Sequence, residues 1–286
     1  MRYLVFFLLL SNFAFGDLAE DVVTQAIRER WTFDFHIPIA FHAKGFVRKQ
    51  KMRSHLAFAA VAPATNLPTH FDLTPRLTAV KNQGGCGACW AFAITAAVEN
   101  FPVVQFGLAT LSEQNMIDCD AQSSGCEGGD FDGFDFAEQS GLASESDYAF
   151  TGSDGQCSHA SPAIAKVIAW NFVANSENDE PSDDQIKTAL YQSSAPVTVA
   201  IHAGMALEAY SGGIIDSCGY WGGLNHMVNI VGWDDTDQDW IVRNSWGGDW
   251  GEQGNFRILR ENSNGAKCQG IGEEAAFITN ATFLNH

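Results

Sequence analysis

The sequence is short of positive charge: 16 Lys and Arg stand against 34 Asp and Glu in 286 residues, a formal net charge of −18 at pH 7. So acidic a chain repels phosphates, which argues against nucleic acid as a partner. Charge of either sign is scarce, at 17% of residues against 46% hydrophobic, so disorder is not the default. The length can bury a core in one large domain or two apposed subdomains. Past the N-terminus no run approaches the roughly 18 consecutive apolar residues of a membrane span, and there is no internal repeat. Cys86 and Cys89 form a Cys-x-x-Cys without the second Cys or His pair that zinc requires, so no metal and no other cofactor is expected.

What is present begins with Met1 and Arg2, an apolar stretch from Tyr3 to Leu10, and Ala14, Phe15 and Gly16. This order predicts a signal peptide over residues 1–16, too short to span a bilayer. Residues 17–65 hold seven Lys and Arg against five acids, a net of +2, whereas the chain from residue 66 holds eight against 29, a net of −21. A basic leader before an acidic body predicts a self-docking pro-segment and linker over 17–65, loosened when carboxylates protonate at low pH. Solubility alone would also explain much of the acidity. Seven cysteines (Cys86, Cys89, Cys119, Cys126, Cys157, Cys218 and Cys268) behind a signal peptide indicate an oxidising compartment and leave one thiol over, with the pairing open.

Helices are predicted from Leu18 to Trp31, over Ala91 to Val98 beginning near Cys89, from Leu111 to Asp118 with Ser112 as cap, and from Phe131 to Gln139. Ser182 with Gln185 reads as a capping box opening a helix that runs to Tyr191. Short apolar runs at Val197 to Ile201, Met227 to Val231, Trp240 to Arg243 and Asn255 to Leu259 predict strands. Helices first and strands second make an α+β chain of two subdomains with a cleft between them. Asn280, Ala281 and Thr282 form a glycosylation sequon.

Cys89 follows Gln83, Gly84, Gly85, Cys86, Gly87 and Ala88 and precedes Trp90, so a tight glycine loop delivers it to the start of an Ala-rich helix. The positive end of the helix dipole and a neighbouring imidazolium would lower its pKa below the free-thiol value of about 8.5. His226 stands at the mouth of an apolar strand, and Asn244 at the end of the next. An amide on the second ring nitrogen would fix the imidazole's tautomer and aim it at sulfur, and the nearby indole of Trp246 would keep that bond dry.

The segment Cys86, Gly87, Ala88, Cys89, Trp90 resembles the papain and cathepsin cysteine peptidases, which carry His and then Asn roughly 130 to 150 residues further on. Gly125 to Gly129 and the block from Asn244 to Gly254 are similar to that family as well. The resemblance covers residues 66–286 and implies the papain-like fold, with a helical first subdomain, an antiparallel β-barrel-like second subdomain and the active site in the cleft. It implies a cysteine endopeptidase with Cys89 as nucleophile, His226 as base, Asn244 as orienter and Gln83 as oxyanion donor. It assigns substrate contacts to Gly128, Gly129, Leu224, Met227, Trp246 and Glu274. Glu274 would floor a pocket for the residue before P1, although the extra Gln269 after Cys268 leaves open a register that turns it to solvent. The bridges implied are Cys86 with Cys126, Cys119 with Cys157 and Cys218 with Cys268, leaving Cys89 free. The leader lacks the family's long ERFNIN-type helix, so its mode of inhibition is open. No long insertion separates Cys119 from Cys126, which favours an endopeptidase over a dipeptidyl carboxypeptidase. The expected product is a monomer acting on peptide substrates, inhibited by its own pro-segment and secreted or lysosomal. Peptide binding without cleavage, or acyl transfer by the same thiol, are the alternatives.

Overall fold

The structure, a computed structural model, describes residues 31–33, 44–48, 60–107, 110–158, 160–175, 179–216, 218 and 223–284. The expected signal peptide lies outside the described residues. So does the helix expected from Leu18 to Trp31, apart from Trp31 itself, which opens strand β1 (Trp31–Phe33). After β2 (His70–Asp72) come the helices α1 (Cys89–Glu99), α2 (Pro102–Gln105), α3 (Glu113–Cys119) and α4 (Gly133–Gln139). Every residue of α1 is buried, as an apolar, Ala-rich helix at the centre of a core must be. Ser112 caps α3 by accepting the Asn115 N–H at 2.9 Å. Helix α4 starts two residues later than the sequence implies, because Asp130 Oδ1 takes the Asp132 N–H at 2.7 Å and holds Phe131 and Asp132 in a turn.

The second half contains β3 (Leu142–Ala143), β4 (Ala163–Phe172), α5 (Asp183–Ser193), β5 (Val197–Ile201) and α6 (Met205–Glu208). It continues with β6 (Tyr210–Ile215), β7 (His226–Asp234), β8 (Asp239–Arg243), β9 (Asn255–Leu259) and β10 (Ala275–Phe283). The Ser182 and Gln185 capping box opens α5 as expected. The sheet runs β1-β6-β9-β8-β7-β5-β10-β4-β3, with β2 added beside β7. Its pairings are antiparallel except for β6 with β9, which is parallel.

Two apolar cores correspond to the two subdomains. One gathers α1, α3, α4 and β4 around Trp90, Phe134 and Trp170. The other gathers β5, β7, β8 and β9 around Trp233, Trp240 and Phe256. Helix α1 spans the junction, where Asn229 of β7 donates from Nδ2 to Ala93 O at 3.1 Å and to Thr198 Oγ1 at 3.0 Å. The first residue of α1 and the first of β7 therefore open on the same cleft.

Candidate active site

The loop before α1 is pinned from both sides. Gly84 adopts φ +56°, its N–H goes to Asn82 Oδ1 at 2.8 Å, and Gln83 N donates to Ser245 O at 2.9 Å. Cys86 is bridged to Cys126, Gly87 N donates to Cys126 O at 2.8 Å, and Trp90 Nε1 to Gly125 O at 3.1 Å. The Cys-x-x-Cys thus has one sulfur committed to a bridge. Cys119 pairs with Cys157 and Cys218 with Cys268, and Cys89 is the free thiol among the described residues.

Pairing of β7 with β8 brings His226 and Asn244 to the same end of the sheet. His226 Nε2 lies 2.8 Å from Asn244 Oδ1, which also accepts the Ser245 N–H at 2.8 Å. The oxygen is thereby an acceptor, so Nε2 carries its proton and Nδ1 is the nitrogen left to exchange a proton with sulfur. Trp246 stacks on the imidazole, with centroids 4.9 Å apart and planes at 28°, and is itself 2% exposed. It shields the His226 and Asn244 pair and offers little surface to a substrate. Cys89 Sγ accepts the Met227 N–H at 3.3 Å, which puts the sulfur against the residue next to His226. Gln83 Oε1 takes the Ser245 hydroxyl at 2.6 Å while its Nε2 donates to Cys86 O at 2.9 Å. Ser245 is a partner of Gln83 that the sequence does not reveal, because nothing local links a serine to a glutamine so far away in the chain.

The groove over Cys89 is occupied by Gly45, Phe46 and Val47. Gly45 N donates to Cys89 Sγ at 3.3 Å, Phe46 N to Asn225 O at 3.1 Å and Val47 N to Gly129 O at 3.0 Å, while Gly129 N donates to Gly45 O at 2.8 Å. Phe46 is 5% exposed and meets Phe131 edge-on at 5.9 Å, in the core that also holds Met227 and half-buried Leu224. Covered in this way, Cys89 has no exposed surface, and burial pushes its thiol up to about 11 against the partial pull of the Met227 and Gly45 N–H groups. The depressed pKa expected from sequence is therefore not that of the covered cleft, because desolvation outweighs the favourable donors.

Other expected contacts divide by cause. Gly128 has φ +130°, and a Cβ there would stand 2.6 Å from the Val47 side chain and 2.7 Å from Gly45 O, so its bareness does keep the groove open. At Gly129 a Cβ would meet the Trp90 ring at 2.5 Å, on the core side; this glycine serves the groove through its backbone. Gln269 takes φ 50°, and Glu274 does not turn to solvent: its side chain is 6% exposed and pairs with Arg48 at 2.9 Å.

Residues 67–279 match the family model of the papain family cysteine proteases. The chain belongs to the papain family. It is 36% identical over 243 residues to cysteine proteinase 15A of Pisum sativum, covering 76% of this chain and 64% of that protein. It is 38% identical over 226 residues to cysteine endopeptidase RepA of Oryza sativa subsp. japonica, covering 74% and 57%. The chain thus spans less than two thirds of the length of these curated relatives. Digestive procathepsin L 3 of the Tenebrio molitor larval midgut superposes with a TM-score of 0.73 at 27% identity, over 91% of this chain and 90% of that one. The papain-like α+β architecture follows from these matches and from the two cores described above.

Proposed function

We propose that the chain is a cysteine endopeptidase made as a precursor. The observation that carries this reading is the convergence of Cys89 with His226 and Asn244, the first brought from more than a hundred residues away to the strand ends that hold the other two. With the cleft open, His226 holds the thiol proton on Nδ1 and the thiolate attacks the scissile carbonyl carbon. The resulting oxyanion sits against the Gln83 amide and the backbone N–H of Cys89, donors typically worth about 3 kcal/mol each. Collapse breaks the C–N bond as His226 gives its proton to the departing amine, leaving a thioester on Cys89. Water, deprotonated by His226, then releases the acid and restores the thiol. Asn244 holds the ring in register throughout, and Trp246 keeps that hydrogen bond dry.

The leader acts as an intramolecular inhibitor in this reading. What faces the sulfur is the N–H of Gly45, which donates a hydrogen bond to it. Lys44 and Arg48, at the two ends of the covering segment, pair with the buried acids Glu208 and Glu274. Activity therefore requires release of residues 17 to about 65, behind the signal peptide over 1–16, and the enzyme acts in a secreted or lysosomal compartment. The test is a peptide epoxide or fluoromethyl ketone applied to the chain after self-processing, with the labelled residue mapped by mass spectrometry. Labelling at Cys89, with loss of peptide hydrolysis in Cys89→Ala, supports the mechanism; hydrolysis by the pure variant overturns it.

A further inference from the structure

Glu208 ends α6 with a carboxylate that the sequence does not mark. Its side chain is 1% exposed, one oxygen pairs with Lys44 Nζ, and the other, Oε2, is buried with no hydrogen-bond partner among the described residues. The backbone oxygen of Glu208 accepts Trp250 Nε1 at 3.0 Å, Trp250 stands edge-on to Trp246 at 5.0 Å, and Trp246 stacks on His226. Glu208 is therefore joined through two indoles to the imidazole's side of the cleft. Lys44 reaches it from the position next to Gly45, whose N–H is on the sulfur. Phe46 and Val47, on the other side of Gly45 along the chain, donate to Asn225 O and Gly129 O.

Chemistry assigns the two directions. The acyl part of a substrate stays with Cys89, while the leaving amine must be beside His226, which gives it a proton. The carboxylate at the His226 end thus faces the leaving group. A buried carboxylate with one oxygen unsatisfied is costly, and once the leader departs it loses its ammonium partner too. Such a group gains most from an incoming cation, through a charge-assisted hydrogen bond in a shielded site.

We propose that Glu208 forms a specificity pocket for a Lys or Arg side chain on the first residue after the scissile bond, the place that Lys44 fills in the precursor. The substrate class is then polypeptide with a basic residue on the leaving-group side of the cut. This inference rests on the peptidase reading above. Its test uses the self-processed chain on internally quenched peptides identical except at that residue, which is Lys, norleucine, Ala or Glu. Norleucine keeps the Lys stem and removes its charge. The wild type is expected to favour Lys over norleucine by about tenfold in kcat/KM, and Glu208→Gln to bring that ratio within about twofold. A wild-type ratio near one sinks the proposal even if the variant does not fold, and so does an undiminished ratio in a folded Glu208→Gln. Failure to cut any of the peptides overturns the peptidase reading and this inference with it, whereas cutting without charge preference overturns this inference alone.

Discussion

Gly45 places its backbone N–H 3.3 Å from Cys89 Sγ, and nothing larger than glycine fits where it lies: a Cβ would stand 1.5 Å from Gly87 O. The obstacle is backbone, held by the Cys86–Cys126 bridge and the Gly87 N–H to Cys126 O bond, so it cannot step aside cheaply. Gly45→Ala should lift the leader off the sulfur. The unprocessed precursor carrying it is expected to alkylate at Cys89 with iodoacetamide about tenfold or more faster than wild type, an effect near 1.4 kcal/mol. Equal rates would mean that this segment is not what protects the thiol.

Covering the thiol also sets its acidity. Burial favours the neutral SH form and pushes Cys89 up to about 11 in the precursor. Removing the leader returns water to the sulfur while leaving the Met227 N–H and the helix N-terminus in place, and His226 can then pair with the thiolate. The pH midpoint of alkylation should therefore fall by several units on processing, to below about 8.5. A midpoint that does not move on processing would show that burial under the leader is not the controlling term.

Orientation can be tested apart from chemistry. Cys89→Ala removes the nucleophile and should abolish turnover, whereas Asn244→Ala leaves both reacting groups and should lose less. Ser245→Ala takes the hydroxyl from Gln83 Oε1 and frees that amide to rotate. Its expected signature is a fall of about tenfold in kcat with little change in KM, since an oxyanion donor acts in the transition state. A loss confined to KM would assign Ser245 to substrate binding instead.

Local signals carried much of this in the sequence. Ser112 and the Ser182 with Gln185 box start their helices because a capping hydrogen bond spans only three residues. The glycine loop at Cys89 and the strand ends at His226 and Asn244 were legible because each motif is contiguous. Strands β4 and β10 were not singled out, although they pair with each other along most of their length. Their stability comes from partners about a hundred residues apart, which no short window contains. The same holds for Ser245 with Gln83, Lys44 with Glu208 and Arg48 with Glu274. In each, the two partners lie far apart in the sequence and meet only in the folded chain.

Behind the cleft, Lys81 Nζ binds Glu99 Oε1 at 2.7 Å, Glu113 Oε1 at 2.9 Å and Leu111 O at 2.6 Å. One ammonium serves two buried carboxylates, and burial pushes Glu113 up to about 8. The folded chain keeps a proton there that the unfolded chain gives up near pH 4.5, so this group's contribution to stability falls as pH climbs through that window. Lys81→Met removes the cation and should cost about 3 to 5 kcal/mol near neutrality. The drop in Tm should be larger at pH 8 than at pH 5, where Glu113 already carries its proton. Thermal unfolding at the two pH values reads this directly, and equal losses would remove the cluster from the account.

The last prediction concerns the acyl side of the cleft. Arg48 Nη2 reaches Glu274 Oε1 at 2.9 Å although the glutamate side chain is only 6% exposed, so a guanidinium already has a path to this acid from the groove. Phe46 lies two residues nearer the sulfur, buried with Phe131. Apolar walls with an acid at their margin accept an aromatic side chain by burial and an arginine by a charge-assisted bond, and the second contribution depends on Glu274 alone. The processed enzyme should therefore cut both Phe-Arg and Arg-Arg dipeptide amides. In Glu274→Ala, the kcat/KM for Arg-Arg should fall by about tenfold relative to that for Phe-Arg. The ratio cancels differences in active concentration and in general folding, so it reports the pocket rather than the amount of sound enzyme. If the ratio is the same in variant and wild type, the carboxylate that Arg48 finds in the precursor is not one that a substrate reaches.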